Sequence, residues 1–310
     1  MKTLNTYINE RLILSKNKRL TEYTLFPKTK EELINIIRKE IELKGVRCPL
    51  NHIDVSKITD MSMLFSSGSS AFFSNTSIKD FNGDISEWNV SNVTNMYCMF
   101  AGSEFDGDIS GWDVSTVTNM GAMFKGSKYT GKRGDISMWD VSKVKYMNNM
   151  FDFTTYNGDI SKWDVSNVIN MEWMFANSQF NGDISKWNVS KVKQMSRMFE
   201  NSEFNGDISM WNTAKCTSFY AMFKNSKFNN DISNWNTSKV DTMHMMFMDS
   251  QFNQLIGNWD VSKVDDIDYM FYNSKFNQDI NGWNPKNVKL PVKTFDNCPL
   301  QNNPPKWYKE

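Results

Sequence analysis

Eight aspartates recur at one position of a repeating unit: Asp84, Asp108, Asp135, Asp159, Asp183, Asp207 and Asp231, with Asp279 after a gap at Leu255. Columns of carboxylates suggest cation chemistry, because a hard ion such as calcium takes about six to eight oxygen ligands. One carboxylate per repeat is the wrong arrangement for that shell. The Gly-Gly-x-Gly-x-Asp pattern of calcium-loaded β-rolls is also absent. Each Asp is therefore expected to accept backbone or Ser hydrogen bonds at a Gly-Asp turn. A second column is made of Trp88, Trp112, Trp139, Trp163, Trp187, Trp211, Trp235, Trp259 and Trp283, spaced by 24 residues except for one interval of 27. Exposed indoles could stack on sugars or bases. Their fixed place between an Ile and a Val reads instead as a buried structural ladder. The remaining reactive inventory is thin. His52 and His244 lie far apart, and neither has a Cys or His companion at metal spacing. His244 falls between two Met positions and is read as facing outward. Cys48, Cys98, Cys216 and Cys298 form no CxxC, and Cys216 takes a Val position, as a small buried hydrophobe would. No phosphate loop, nucleophile elbow or His-containing dyad occurs. The sequence assigns no catalytic, cofactor-binding or metal-ligating residue, and no enzymatic activity is expected.

A period of 24 residues is the mark of stacked units that cannot bury their apolar faces alone. In one unit Phe180, Gly182 and Ile184 alternate with polar residues, which predicts a half-buried strand. Val192, Met195, Met198 and Phe199 then suggest one face of a short helix, with Ser190 as its N-cap. The Met-Phe pair closing the unit recurs from Met99 and Phe100 to Met270 and Phe271. Degraded copies flank the set, one running from Ile53 to Phe65 and one from Trp283 to Phe295. The predicted fold is α/β: a solenoid of about ten strand-turn-helix coils whose strands stack in parallel roughly 4.8 Å apart. No proline falls between Asn51 and Asn284, as a ladder that uses its backbone N–H groups requires.

Three regions follow: a helical cap over residues 1–50, the repeats over 51–284 and a C-terminal cap over 285–310. Thr29 and Glu32 form a capping box ahead of Leu33, Ile36, Ile37 and Ile41, and Gly45 ends that helix. An amphipathic stripe at residues 3–14 either packs on the cap or docks on a partner. Insertions at 66–79 and 130–133 read as surface loops. Lys+Arg and Asp+Glu balance at 35 each, so bulk charge draws the chain to neither nucleic acid nor anionic lipid. No apolar run is long enough to span a membrane, and Asn5, Asn9, Glu10 and Arg11 interrupt what would be the core of a signal peptide.

The run from Asn181 through Asp183, Ile184, Trp187, Val192, Met195 and Met198 to Phe199 resembles the BspA-type leucine-rich-repeat family, including its variant in mycoplasmal surface lipoproteins. The resemblance covers residues 53–295. It implies a right-handed leucine-rich-repeat-like solenoid and surface proteins that bind host matrix proteins or other cells without catalysis. The family's export signal and lipid-anchor cysteine are not read here, so a cytoplasmic or virion-associated location stays open beside the cell surface. The expected function is recognition of a protein partner, with a glycan as second choice. The expected face carries Asn82, Asp84, Asp108, Asp135, Asp159, Asn181, Asp183, Asp207 and Asp231, plus the variable slot before each Trp. Two rivals stand: a structural element docked through residues 3–14, and an enzyme with its site in the inserted loops.

Overall fold

The computed structural model describes residues 22–67 and 78–308; the stripe at 3–14 and most of the 66–79 insertion lie outside them. Helix α1 (Lys30–Lys44) begins where extended Thr29 accepts the Glu32 N–H at 3.2 Å. It ends at Gly45, whose φ of 86° leaves the helical region while its N–H still reaches the Ile41 carbonyl. Leu33, Ile37 and Ile41 are buried in the same apolar core as the repeats. Lys30 Nζ reaches Ser62 Oγ at 2.6 Å, fixing the helix against the first coil.

From there the chain winds into coils joined by one parallel bridge each. Asp60, Asn95, Asn119, Tyr146, Asn170, Gln194, Ser218, Thr242 and Asp266 pair in series. The strand-turn-helix unit is not formed, and the α/β assignment is corrected. Among the described residues α1 is the one α-helix, two short 3-10 turns (Ile78–Asp80 and Pro299–Asn302) accompany it, and the repeats hold isolated bridges rather than a sheet. The coil around Trp211 makes five turns instead, one of them closed by the Lys224 N–H on the Ala221 carbonyl at 3.2 Å. In the other four the N–H groups of Trp211, Cys216, Met222 and Ser226 donate to the carbonyls of Ile208, Thr213, Phe219 and Phe223 at 2.8–3.2 Å. Ala221 and Asn225, each third in its turn, have φ of 49° and 50°, as type II turns require.

These left-handed positions explain why no helix forms. One recurs just before the second Met, at Asn149, Trp173, Arg197, Met245 and Tyr269; the other recurs four residues on, at Gly102, Gly126, Asn177, Asn201 and Asn273. A right-handed helix cannot pass through either. The apolar spacing also fails on inspection. At about 100° per residue, Met198 would lie roughly 120° away from Val192 on a helical wheel. A strict spacing of three fits successive three-bond turns. The N–H groups divide accordingly. Those of Met147, Asn149, Phe151 and Phe153 cross to the next coil at 2.8–3.1 Å, while those of Met150 and Asp152 close turns. Ser190 is no N-cap: its N–H donates to Asn188 Oδ1 at 3.2 Å inside a turn.

The predicted strand fails for a different reason. Along Phe180 to Ile184 the acceptor on the neighbouring coil is a side chain. Asn181 N–H donates to Asn157 Oδ1 at 2.9 Å, and Asn205, Asn229, Asn253 and Asn277 repeat the bond. A side-chain carbonyl thus stands where a ladder would place a backbone one.

Three aromatic columns fill the coils. The Phe of each Met-Phe pair stacks on the next without interruption from Phe65 to Phe295, with ring centroids 5.4–5.9 Å apart. A second column, Phe81 to Phe276 with Tyr129 and Tyr156 in it, leans on the first at 4.0–4.4 Å in coil after coil. The nine register tryptophans form the third and are 3–4% exposed. Indole supplies what phenyl cannot. Trp187 Nε1 donates to the Ile160 carbonyl of the preceding coil at 3.1 Å, and the other register indoles make the equivalent bond at 3.0–3.2 Å. Trp307 continues the column, donating to Ile280 at 2.8 Å and stacking on Trp283 at 6.0 Å. It stands 24 residues after Trp283, so its place was readable from the spacing and was missed.

Candidate functional site

The aspartate column is exposed and turned to a local task. Asp84, Asp108, Asp135, Asp159, Asp183, Asp207 and Asp231 each accept the N–H of the Ser two residues on at 2.8–2.9 Å. That N–H, helped by the Ser hydroxyl, holds the Asp159, Asp183 and Asp207 carboxyls below the usual carboxylate range. The asparagines of the expected face are committed to the stack: Asn82 accepts from Asp106 N–H at 3.0 Å and Asn181 from Asn205 N–H at 2.8 Å. A shallow groove of about 410 Å³ gathers Asn82, Asp84 and Asp108 with Arg47 and Arg133. In the slot before Trp, Met210 is 82% exposed and Met138 56%.

Burial disfavours the thiolate at each of the four cysteines. All four are free thiols, and burial pushes the Cys216 thiol up to about 12. Tyr129 and Tyr156 are likewise pushed up by burial within the second aromatic column.

A different face brings chemistry together. The bridged side of each coil carries three slots, the bridge residue, the residue two further on and the left-handed residue after that, whose exposure varies: Ser196, Ala122 and Ala221 are buried in theirs. The early coils place Tyr97, Cys98, Gly121, Ala122, Asn148 and Asn149 in the last two of these. From the fifth coil onward the slots hold Trp173, Arg197, Tyr220, His244 and Tyr269, all part-exposed, one per coil. The Arg197 guanidinium lies 4.4 Å from the Trp173 ring centroid and 4.7 Å from that of Tyr220. Its Nη2 donates to Tyr220 Oη at 2.7 Å and its Nη1 to Glu200 at 2.9 Å. Glu200, nearly buried, also takes Lys224 Nζ at 3.1 Å. Tyr220 stacks on His244 at 5.3 Å, and Tyr269 meets His244 edge-on at 6.1 Å. His244 Nδ1 sits 3.2 Å from Asp266 Oδ1.

Besides the strip, Tyr97, Tyr146 and Phe153 are 40%, 41% and 61% exposed. The companions of His244 are acidic, Asp266 and Asp268, and lie on the next coil, where a search for Cys or His at local spacing does not reach. Trp173 and Arg197 were passed over because a helical reading hid which slots face out. The signal was the variation in the two residues before the second Met.

Stacked coils, a repeating core and variable outward slots define a tandem-repeat protein. The chain belongs to the family described as "Mycoplasma protein of unknown function, DUF285", which matches residues 38–132, 126–229 and 200–308. This match upholds a mycoplasmal repeat family and does not carry the leucine-rich-repeat name. No curated protein and no solved structure matches the chain.

Proposed function

We propose that this protein is a non-enzymatic recognition scaffold that binds a protein partner through the strip Trp173, Arg197, Tyr220, His244 and Tyr269. The observation that carries the reading is the guanidinium held between two part-exposed rings at 4.4 and 4.7 Å. Trp, Tyr and Arg are the residues in which interface energy concentrates, and they act best when ordered before the partner arrives. Here the backbone itself supplies the order. Trp173, Arg197 and Tyr269 occupy the left-handed position of their turns, and hydrogen bonds to the next coil pin each one. The resemblance to BspA-type surface proteins supports the same class of function. The test is affinity capture from the native source with the wild-type chain, an Arg197→Ala/Tyr220→Ala variant and an Asp183→Asn/Asp207→Asn variant. A partner held by wild type and the aspartate variant but lost by the strip variant supports the reading. Retention on the strip variant, with loss on the aspartate variant, moves the interface to the Asp face. A glycan array run on the same proteins separates a sugar ligand from a protein one.

A further inference from the structure

We infer that His244, Asp266 and Asp268 form a binding site for one divalent first-row transition ion, with Zn2+ as the reference case. Among the described residues they are the one group of three such side chains whose donor atoms all lie within 4.8 Å of one another. The coil geometry makes the cluster. Thr242 and Asp266 are bridge partners, so His244 and Asp268, each two residues on, stand side by side on adjacent coils. Every member is already aimed. Asp266 Oδ1 accepts the Asp268 N–H at 3.0 Å, and Asp268 Oδ1 accepts the Val292 N–H at 2.7 Å. The backbone thereby orients both carboxylates, and Asp266 Oδ1 also stands 3.2 Å from His244 Nδ1. The imidazole is set between Tyr220 and Tyr269.

The donor set decides the class of ion. Imidazole suits zinc, copper, iron and nickel, whereas calcium and magnesium prefer all-oxygen shells. Ligands about 2.1 Å from a shared ion stand roughly 3–3.5 Å apart, so closure needs only small rotations of part-exposed side chains. Three protein ligands leave at least one coordination position facing solvent, in the manner of open zinc sites. This site does not depend on the proposed partner surface, although the two share His244.

The full chain, dialysed against Zn2+ alone and then against metal-free buffer, is expected to retain one ion per chain. Its thermal midpoint should rise by on the order of 3–5 °C at free Zn2+ about 100-fold above Kd. His244→Phe keeps a ring between the two tyrosines. Asp266→Asn and Asp268→Asn keep the Oδ1 acceptors of the two backbone bonds. Each variant should therefore fold with an unchanged midpoint in the absence of zinc, yet weaken Zn2+ by more than about 100-fold, beyond what loss of a supporting group costs. Millimolar Mg2+ should not displace the zinc. Failure of wild type to retain zinc overturns the inference. So does equal retention by all three variants, which would place the ion on the free cysteines or elsewhere.

Discussion

Trp187 loses two separable things on substitution, and each has its own size. Its ring is 4% exposed, and its Nε1–H serves the buried Ile160 carbonyl at 3.1 Å. Trp187→Phe keeps most of the packing and orphans that carbonyl, for a cost of about 1–3 kcal/mol. Trp187→Ala also opens a cavity and should cost about 3–5 kcal/mol. Urea titration of both variants measures the difference, and equal losses would mean the indole hydrogen bond contributes nothing. Gly126 isolates a backbone term. Its φ is +62°, and an added Cβ would meet nothing within 4 Å. Gly126→Ala should then lose about 1 kcal/mol from left-handed strain alone, and Gly126→Asn less, since sister coils carry Asn177, Asn201 and Asn225 there. The aspartate column adds a pH dependence with a definite sign. Asp159, Asp183 and Asp207 have folded-state carboxyls held below the ordinary value, chiefly by the Ser N–H. Their contribution is complete above the unfolded value of about 3.9 and disappears as pH falls through the lower folded one. The triple Asp→Asn variant keeps the acceptors and loses the charge, so its urea midpoint should fall less steeply between about pH 5 and pH 2 than that of wild type. An identical slope would mean these bonds do not distinguish folded from unfolded chain.

At the scale of elements, the sequence was readable wherever a residue's role is local. Thr29, Glu32 and Gly45 mark the ends of α1 because caps and stop signals act within a few residues. The coil was misread because its backbone bonds are shared between neighbours 24 residues apart, and apolar spacing alone does not say where an N–H points. Asn and Gly at the second left-handed slot were the usable clue, since both tolerate positive φ. The Asn column was read as a free outward row because an exposed amide looks the same in a sequence whether it meets solvent or the next coil. The outward strip stayed hidden for a related reason: once Val192 to Phe199 is taken for a helix, the slots of Arg197 and Tyr220, one residue apart in the repeat, point about 100° away from each other. The Asn column gives the element its test. Asn205 Oδ1 accepts the Asn229 N–H at 2.8 Å, so Asn205→Ala should cost about 1 kcal/mol, and Asn205→Asp, which keeps the acceptor, should stay within about 0.5 kcal/mol of wild type. Equal stability of all three proteins in thermal melts would show that water replaces the amide at no cost.

Over the whole molecule, the period itself is the structural constraint. Phe rings stack from Phe65 to Phe295, and coil-to-coil hydrogen bonds extend to the final coil, where Tyr269, Phe271 and Asn273 donate to Val292, Thr294 and Asp296. When each unit touches only its neighbours, stability approximates a sum of unit and interface terms. Deleting residues 181–204 removes one complete period and joins Phe180 to Asn205. Trp211 Nε1, which now donates to Ile184, would meet the equivalent Ile160 carbonyl, and Phe223 would stack on Phe175. Such a chain should fold, melt cooperatively at a lower midpoint and keep a near-UV signal from ordered tryptophans. It should also lose any partner held through Arg197, because Trp173 would then adjoin Tyr220 with no cation between them. Deleting residues 181–192 instead shifts every later ring by half a period, sets polar residues against the aromatic columns and should abolish the cooperative melt. If both deletions behave alike, the coils do not act as interchangeable units, and the stack owes its stability to contacts that the 24-residue register does not describe.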